Sequence, residues 1–397
     1  MSQTSVAGSS NKNAPASVRT PYELNQELSQ IINALRFPMA VGVVFIHNNW
    51  VAKGIQENVE NGTWPILGFF KALLPTFFGM AVPLFFFISG FLFFRSTPKW
   101  SWQRYGTKFN RRIHSLLIPY LIWNVISIFG EAQNLYRLGM SVNEYLWEYS
   151  AFGVLRLFWC SGTYASTSVN WLGFSHLTDY PANISLWFVR DLIVLVLLAP
   201  IIYAVLKKLR QWFFLLVIPI YLFDLCPSSF PGFSISSLLF FSLGSFCSLE
   251  EIDFVKKAVA SMKWSISIGV ITLCMIILSD QLRGIPKELI TRLYVLAAVS
   301  ASIAIATCLL RRGLMDRCLH LASSSFFVFA SHFVSYIGFL GISRFTLLFI
   351  FGEPETEWLA LILFFVCPIL AVTLSVFCYK FMSRFMPRTT AVLCGGR

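Results

Sequence analysis

The chain has 397 residues, of which 56% are hydrophobic and only 13% charged, with 40 phenylalanines and a formal net charge of +12. A soluble domain carries charge at about a quarter of its positions, so this composition excludes an ordinary water-soluble enzyme and makes lipid the solvent. The positive excess does not by itself indicate nucleic acid, because lysine and arginine also collect in the cytoplasmic loops of membrane proteins.

Residues 1–20 are rich in Ser, Ala, Asn and Thr and lack a basic-then-apolar pattern, so they read as a disordered cytoplasmic tail and not as a signal peptide. Thr20-Pro21-Tyr22-Glu23 reads as a helix start, with Thr as N-cap, Pro at the first helical position and Glu three residues after the cap. Apolar runs that can cross the bilayer as helices follow at 31–51, 67–94, 113–130, 184–206, 211–225, 235–249, 264–280, 289–310, 325–347 and 358–379. The fifth and sixth are short and are also compatible with one re-entrant unit. The expected fold is therefore all-α: a polytopic membrane helix bundle of about ten transmembrane helices over 21–385, with 386–397 as a cytoplasmic tail.

Ten crossings place both termini on one side. Of the 31 lysines and arginines, 21 then fall on that side, six on the other and four within spans, a bias that puts both termini in the cytoplasm. The long connection at 131–183 is outer. It carries Trp147, Trp159, Trp171, Tyr145, Tyr149 and Tyr164, which fit equally an interfacial aromatic belt and a lid with stacking platforms for a sugar. Asn61-Gly-Thr63 and Asn183-Ile-Ser185 match the glycosylation triplet, a pattern that also arises by chance. The nine cysteines are odd in number and mostly sit in apolar runs as small hydrophobes, and whether Cys160 and Cys226 pair stays open.

Ionisable groups inside spans are costly and are functional candidates by default. Arg36 and His47 are eleven positions apart, about three helical turns, so they share one face roughly 16 Å apart along the axis. The bland alternative is a snorkelling arginine and an interfacial histidine. Arg190 and Asp191 open an apolar run in the outer half, at the level of His47. A carboxylate beside that imidazole would raise its basicity as a general base requires, whereas an Arg190–Asp191 pair alone would have no chemistry. Arg36, Ser89 and His332 fall at comparable depths on the cytoplasmic half. Gly90 reads first as a close helix contact, and His332 as a core histidine with no second ligand at metal spacing, so no metal is expected. Arg95 to Arg112 is the most basic loop. Its Arg104, Lys108, Arg111 and Arg112 are spaced to line one end of a helix. The bland alternative is topological charge alone, but six cations in 18 residues exceed what orientation requires and an Arg cluster suits phosphate.

Four stretches resemble the acyltransferase-3 family of integral-membrane O-acyltransferases. They are Arg36 with His47, Val82-Pro83-Leu84-Phe85-Phe86-Phe87-Ile88-Ser89-Gly90-Phe91-Leu92, the junction from Arg111-Arg112 to Pro119-Tyr120, and Leu186-Trp187-Phe188-Val189-Arg190-Asp191-Leu192. The resemblance covers about 30–385 and implies transfer of an acyl group, usually acetyl, from cytoplasmic acetyl-CoA to a hydroxyl of a surface glycan or its lipid-linked precursor. It implies a multi-pass protein of the inner (plasma) membrane whose partners are the bilayer and a glycan, with no nucleic acid.

On that reading the CoA phosphates meet Arg104, Lys108, Arg111 and Arg112, and the pantetheine arm climbs past Arg36, Ser89 and His332. His47 is then base or acyl carrier, Asp191 orients it, and Trp187 and Arg190 are grouped with His332 toward the substrate. The reading from another class is an exporter or transporter of a polysaccharide or small metabolite without acyl transfer.

Overall fold

A computed structural model describes residues 21–48, 53–95, 100–147, 152–162, 165–170, 173, 175–225, 231–278, 286–334 and 337–396. The expected tail at 1–20, Thr20, Tyr149, Tyr164, Trp171 and Cys226 lie outside the described residues, and with Cys226 lies the question of its pairing with Cys160.

The chain is an all-α bundle with one small hairpin. Helix α1 (Pro21–Ile46) starts at the expected proline, and α2 (Lys53–Glu60) is a short polar helix. α3 (Pro65–Phe78) and α4 (Ala81–Phe94) make one apolar run, and α4 is buried on nearly every side, from Ala81 to Phe94. α5 (Trp102–Arg112) and α6 (Ile118–Arg137) are joined by a π-helical turn, Ile113–Leu117. α7 (Val142–Trp147), α8 (Gly153–Arg156) and the antiparallel strands β1 (Ser166–Val169) and β2 (Ser175–Thr178) follow.

α9 (Trp187–Leu197) and α10 (Ala199–Leu209) meet at a 64° bend. α11 (Trp212–Phe223) and α12 (Ile235–Leu249) are short and apolar. α13 (Phe254–Ala260) and α14 (Met262–Ile277) meet at 67°, and α15 (Lys287–Arg311) is 25 residues long. α16 (Asp316–Leu321), α17 (Ser325–Ser331), α18 (Phe339–Phe351), α19 (Glu357–Phe385) and α20 (Pro387–Cys394) complete the order.

Among the described residues five helical runs are long and apolar enough to cross a membrane, and seven if each bent pair is one span. α11, α12 and α18 are apolar but have only 12, 15 and 13 residues. The exterior is what lipid requires: Phe129, Phe345, Phe349 and Phe377 are each about 70% or more exposed. The protein is therefore a membrane helix bundle.

Two expectations change and one is made definite. The basic residues spaced for a helix do lie on one, over 102–112, where Ser101 Oγ caps it by accepting from the Arg104 N–H at 3.2 Å. The long connection at 131–183, which shows no obvious secondary structure in the sequence, is not structureless: α6 carries on to Arg137, and two helical turns and the β1–β2 hairpin follow. Polar strands of four residues such as Ser-Thr-Ser-Val carry no hydrophobic alternation that periodicity could detect. Residues 387–394 are not a loose tail, since α20 buries Thr390, Leu393 and Cys394 and the Trp123 indole donates to the Leu393 carbonyl at 3.1 Å.

The packing centre is α4 against α12. Gly90 faces the Phe241 carbonyl and Gly244 faces the Phe87 carbonyl, so neither helix has room for a Cβ at the crossing. Close backbone approach through small residues is how helices associate where lipid supplies no hydrophobic drive. The expected role of Gly90 is met, and the contact aims the next face of α4, with Phe85, Ser89 and Leu92, at α1, α9 and α17.

Candidate active site

That face of α4 closes one side of a cavity of about 400 Å³. Asn33 and Arg36 come from α1, Arg112 and Leu116 from the π-helical junction, Phe188 and Leu192 from α9, and Ser325, Phe326 and Phe329 from α17. Arg36 is held one turn back on its own helix, donating Nη1–H to Asn33 Oδ1 at 3.1 Å. Arg112 lies close enough to Arg36 to feel its charge. Among the described residues neither is paired with a carboxylate. Two cations in a half-buried hollow with no carboxylate partner among the described residues suit an anion, and the planar guanidinium suits phosphate. A π turn re-aims the side chains of a helix by one extra residue per turn and often marks function; here Leu116 within the turn and Arg112, the residue just before it, both line the cavity, while Arg111 is exposed.

Three rings roof the cavity. Phe85, Phe188 and Phe329 all line it, with centroids 5.7, 5.9 and 6.4 Å apart. One turn beyond Phe329 on the same helix stands His332, its ring 6.2 Å from Phe329 and 5.3 Å from the imidazole of His47. His47 sits just past the end of α1, its N–H still bonded to the Val43 carbonyl at 3.1 Å, and its ring also meets Phe333 at 5.5 Å. His332 is fully buried and His47 half-buried. The Arg36 face of α1 thus serves the cavity and its His47 end serves an imidazole pair.

Other expected site residues are placed differently. His332 is not level with Arg36 and Ser89 but packs on His47, because α17 stops there and Gly338 turns the chain back: the His332 carbonyl accepts from the Leu340 N–H at 3.0 Å. Asp191 pairs with Arg190 at 3.2 Å rather than with His47, and the Gly232 backbone reaches its carboxylate as well. The long arginine side chain spans the 100° between adjacent helix positions.

Arg190 also donates to the Trp159 carbonyl at 2.6 Å and the Asp179 carbonyl at 3.1 Å, and its guanidinium lies 5.6 Å from the Trp159 ring. These bonds tie the 131–183 connection to α9. Trp187 packs at 6.5 Å against Phe86 as a half-buried core residue.

Lys108 donates to the carbonyls of Phe93 at 2.5 Å and Arg95 at 3.1 Å, so it closes the C-terminus of α4 instead of facing a phosphate. Arg104 and Arg111, seven apart on α5, are exposed together, whereas Arg112 turns inward. Ser89 lines the cavity. Among the described residues no three of His, Cys, Asp and Glu gather as a metal site. Sequence reasoning missed Asn33 and the aromatic roof, which look like ordinary span residues until α1, α4, α9 and α17 converge.

Residues 30–380 match the family model described as an acyltransferase domain, most of the chain from α1 to α19. The protein belongs to the acyltransferase-3 family. The chain is similar to the succinoglycan biosynthesis protein ExoH of Rhizobium meliloti (strain 1021), at 25% identity over 384 residues, covering 94% of each chain. No solved structure matches. Arg36, His47, the α4 segment through Ser89-Gly90 and the Trp187-Phe188 segment all lie within the matched acyltransferase region, and all but Trp187 border the cavity, the imidazole pair or the α4–α12 crossing.

Proposed function

We propose that this protein transfers an acyl group, acetyl in the simplest case, from cytoplasmic acyl-CoA to a hydroxyl of a surface polysaccharide or its lipid-linked precursor, in the plasma membrane and with both termini cytoplasmic. The observation that carries the reading is the arrangement of two cations with no carboxylate partner among the described residues at the cavity and an imidazole pair beyond its aromatic roof, within an acyltransferase-3 chain. The succinoglycan relative supports a polysaccharide acceptor.

A hollow of about 400 Å³ is in the range that holds a small ligand. It suits the pantetheine arm, with donor phosphates at Arg36 and Arg112 and the exposed Arg104 and Arg111 at its margin. The acyl end passes the Phe85, Phe188 and Phe329 rings to reach His47. There the imidazole takes the proton of the acceptor hydroxyl as its oxygen attacks the thioester carbonyl. The carbon–sulfur bond breaks, CoA leaves as thiolate and takes up a proton, and the ester is formed. General base catalysis of this kind contributes about 10² to 10⁴ in rate.

Purified full-length protein in lipid nanodiscs, given labelled acetyl-CoA and lipid-linked saccharide, should form an acylated saccharide, and His47→Ala should lower kcat by about 10² or more. Wild type that moves the saccharide across a membrane without acylating it, at a rate unaffected by His47→Ala, would make it a transporter.

A further inference from the structure

We propose that the Asn183-Ile184-Ser185 segment is a buried clamp that fixes His332, and through it makes His332 a positioning residue for the catalytic imidazole of His47. The inference rests on the acyl-transfer reading above. The triplet matches a glycosylation pattern by sequence, yet Asn183 is 0% and Ser185 1% exposed, so neither side chain is available for modification.

Three polar groups of the segment are instead committed inward, while Asn183 Oδ1 is buried with no hydrogen-bond partner among the described residues. Asn183 donates its backbone N–H to Asn124 Oδ1 at 3.0 Å, and Asn124 is itself anchored on α6 through its Nδ2–H to the Tyr120 carbonyl at 2.8 Å. Asn183 Nδ2–H donates to the Ala330 carbonyl at 3.0 Å, holding the end of α17 two residues before His332. Ser185 Oγ lies 3.3 Å from His332 Nε2, and His332 Nδ1 lies 3.2 Å from the Val328 carbonyl.

These contacts set the tautomer. A carbonyl only accepts, so Nδ1 carries the proton, and Nε2, left with a lone pair, accepts from the Ser185 hydroxyl. Turning the ring over would break both bonds in a fully buried position, where unmade hydrogen bonds are expensive. The backbone is fixed too, since a Cβ at Gly338 would come within 2.7 Å of the His332 carbonyl oxygen.

With both nitrogens occupied, His332 offers none to a substrate. What it presents is a ring face, 5.3 Å from the His47 ring, which Phe333 meets at 5.5 Å. Among the described residues the His47 ring has no such pair of bonds, so its orientation depends on these rings. A general base must lie within hydrogen-bond reach of its proton, and a misplacement of about 1 Å costs about 10²-fold.

The test has an arm that needs no activity. The chain has five histidines, so solid-state NMR of histidine-labelled full-length protein in lipid, assigned by His→Gln subtraction, reads each tautomer. Wild type should show His332 neutral with the proton on Nδ1, and Ser185→Ala should shift the signals of both His332 and His47. An Nε2-protonated His332 in wild type, read without any substitution, overturns the proposal. So do His47 signals unmoved by Ser185→Ala.

In the acyl-transfer assay, Ser185→Ala and His332→Asn should lower kcat about tenfold or more while KM for the acyl donor holds, and Ser185→Thr should restore kcat. A fully active Ser185→Ala overturns the positioning role. Wild type without acyl transfer sinks the functional reading and leaves the NMR arm to decide the clamp.

Discussion

Arg190 and Asp191 are 4% and 3% exposed and bonded to each other at 3.2 Å. Taking one charge from a buried pair leaves the other uncompensated, at about 3–5 kcal/mol. Asp191→Asn is therefore expected to lower the unfolding midpoint in detergent markedly, with the double change Arg190→Met plus Asp191→Leu recovering part of the loss. Unaltered stability together with lost turnover would instead place Asp191 in the chemistry. At this scale the sequence revealed what helical periodicity encodes, Arg36 and His47 on one face of one helix. It did not reveal the partner of His47, because the position of His332 depends on where α17 ends and on the reversal at Gly338, a tertiary event without a local pattern. Asn183 and Ser185 were hidden for the same reason: as residues of a loop they resemble any polar pair until α6 and α17 close around them.

Among elements, the α4–α12 crossing bears on the site most directly, since it orients Phe85 and Ser89 toward the cavity. Gly90→Val would drive a branched side chain against the Phe241 carbonyl, a backbone atom that cannot turn aside. Overpacking of this kind costs about 1–3 kcal/mol, and the variant should show a lower unfolding midpoint in detergent than wild type, whereas Gly269→Ala, where a Cβ meets nothing within 4 Å, should not. Equal midpoints for the two would contradict the close crossing. The glycine's role was legible from its setting in an apolar run. The role of Lys108 was not: composition counts it as one more cation beside Arg104, Arg111 and Arg112, and only the return of α5 against the end of α4 turns it into a cap for the Phe93 and Arg95 carbonyls.

For the whole molecule, the low charge content and the apolar exterior agree, and lipid is the solvent that both describe. The number of crossings was less legible. Windows of hydropathy measure apolar length, but the breaks of 64° at Leu198 and 67° at Ser261, and apolar helices of only 12–15 residues, leave composition almost unchanged while altering what spans. An α-helix of 12 residues covers about 18 Å, well under a bilayer core of about 30 Å.

What the folded bundle adds is a direction, from Arg36 and Arg112, through a cavity roofed by Phe85, Phe188 and Phe329, to His332 and His47. The central claim is that the acyl donor occupies this route. A photoreactive acyl-CoA analogue, crosslinked to the protein in nanodiscs and mapped by mass spectrometry, tests it. Adducts on Phe85–Leu92 and Ser325–Phe329, suppressed by excess CoA and weakened about tenfold in affinity by Arg36→Gln with Arg112→Gln, are the predicted result. CoA-protected adducts confined to other segments, or an affinity unmoved by the two substitutions, would contradict it.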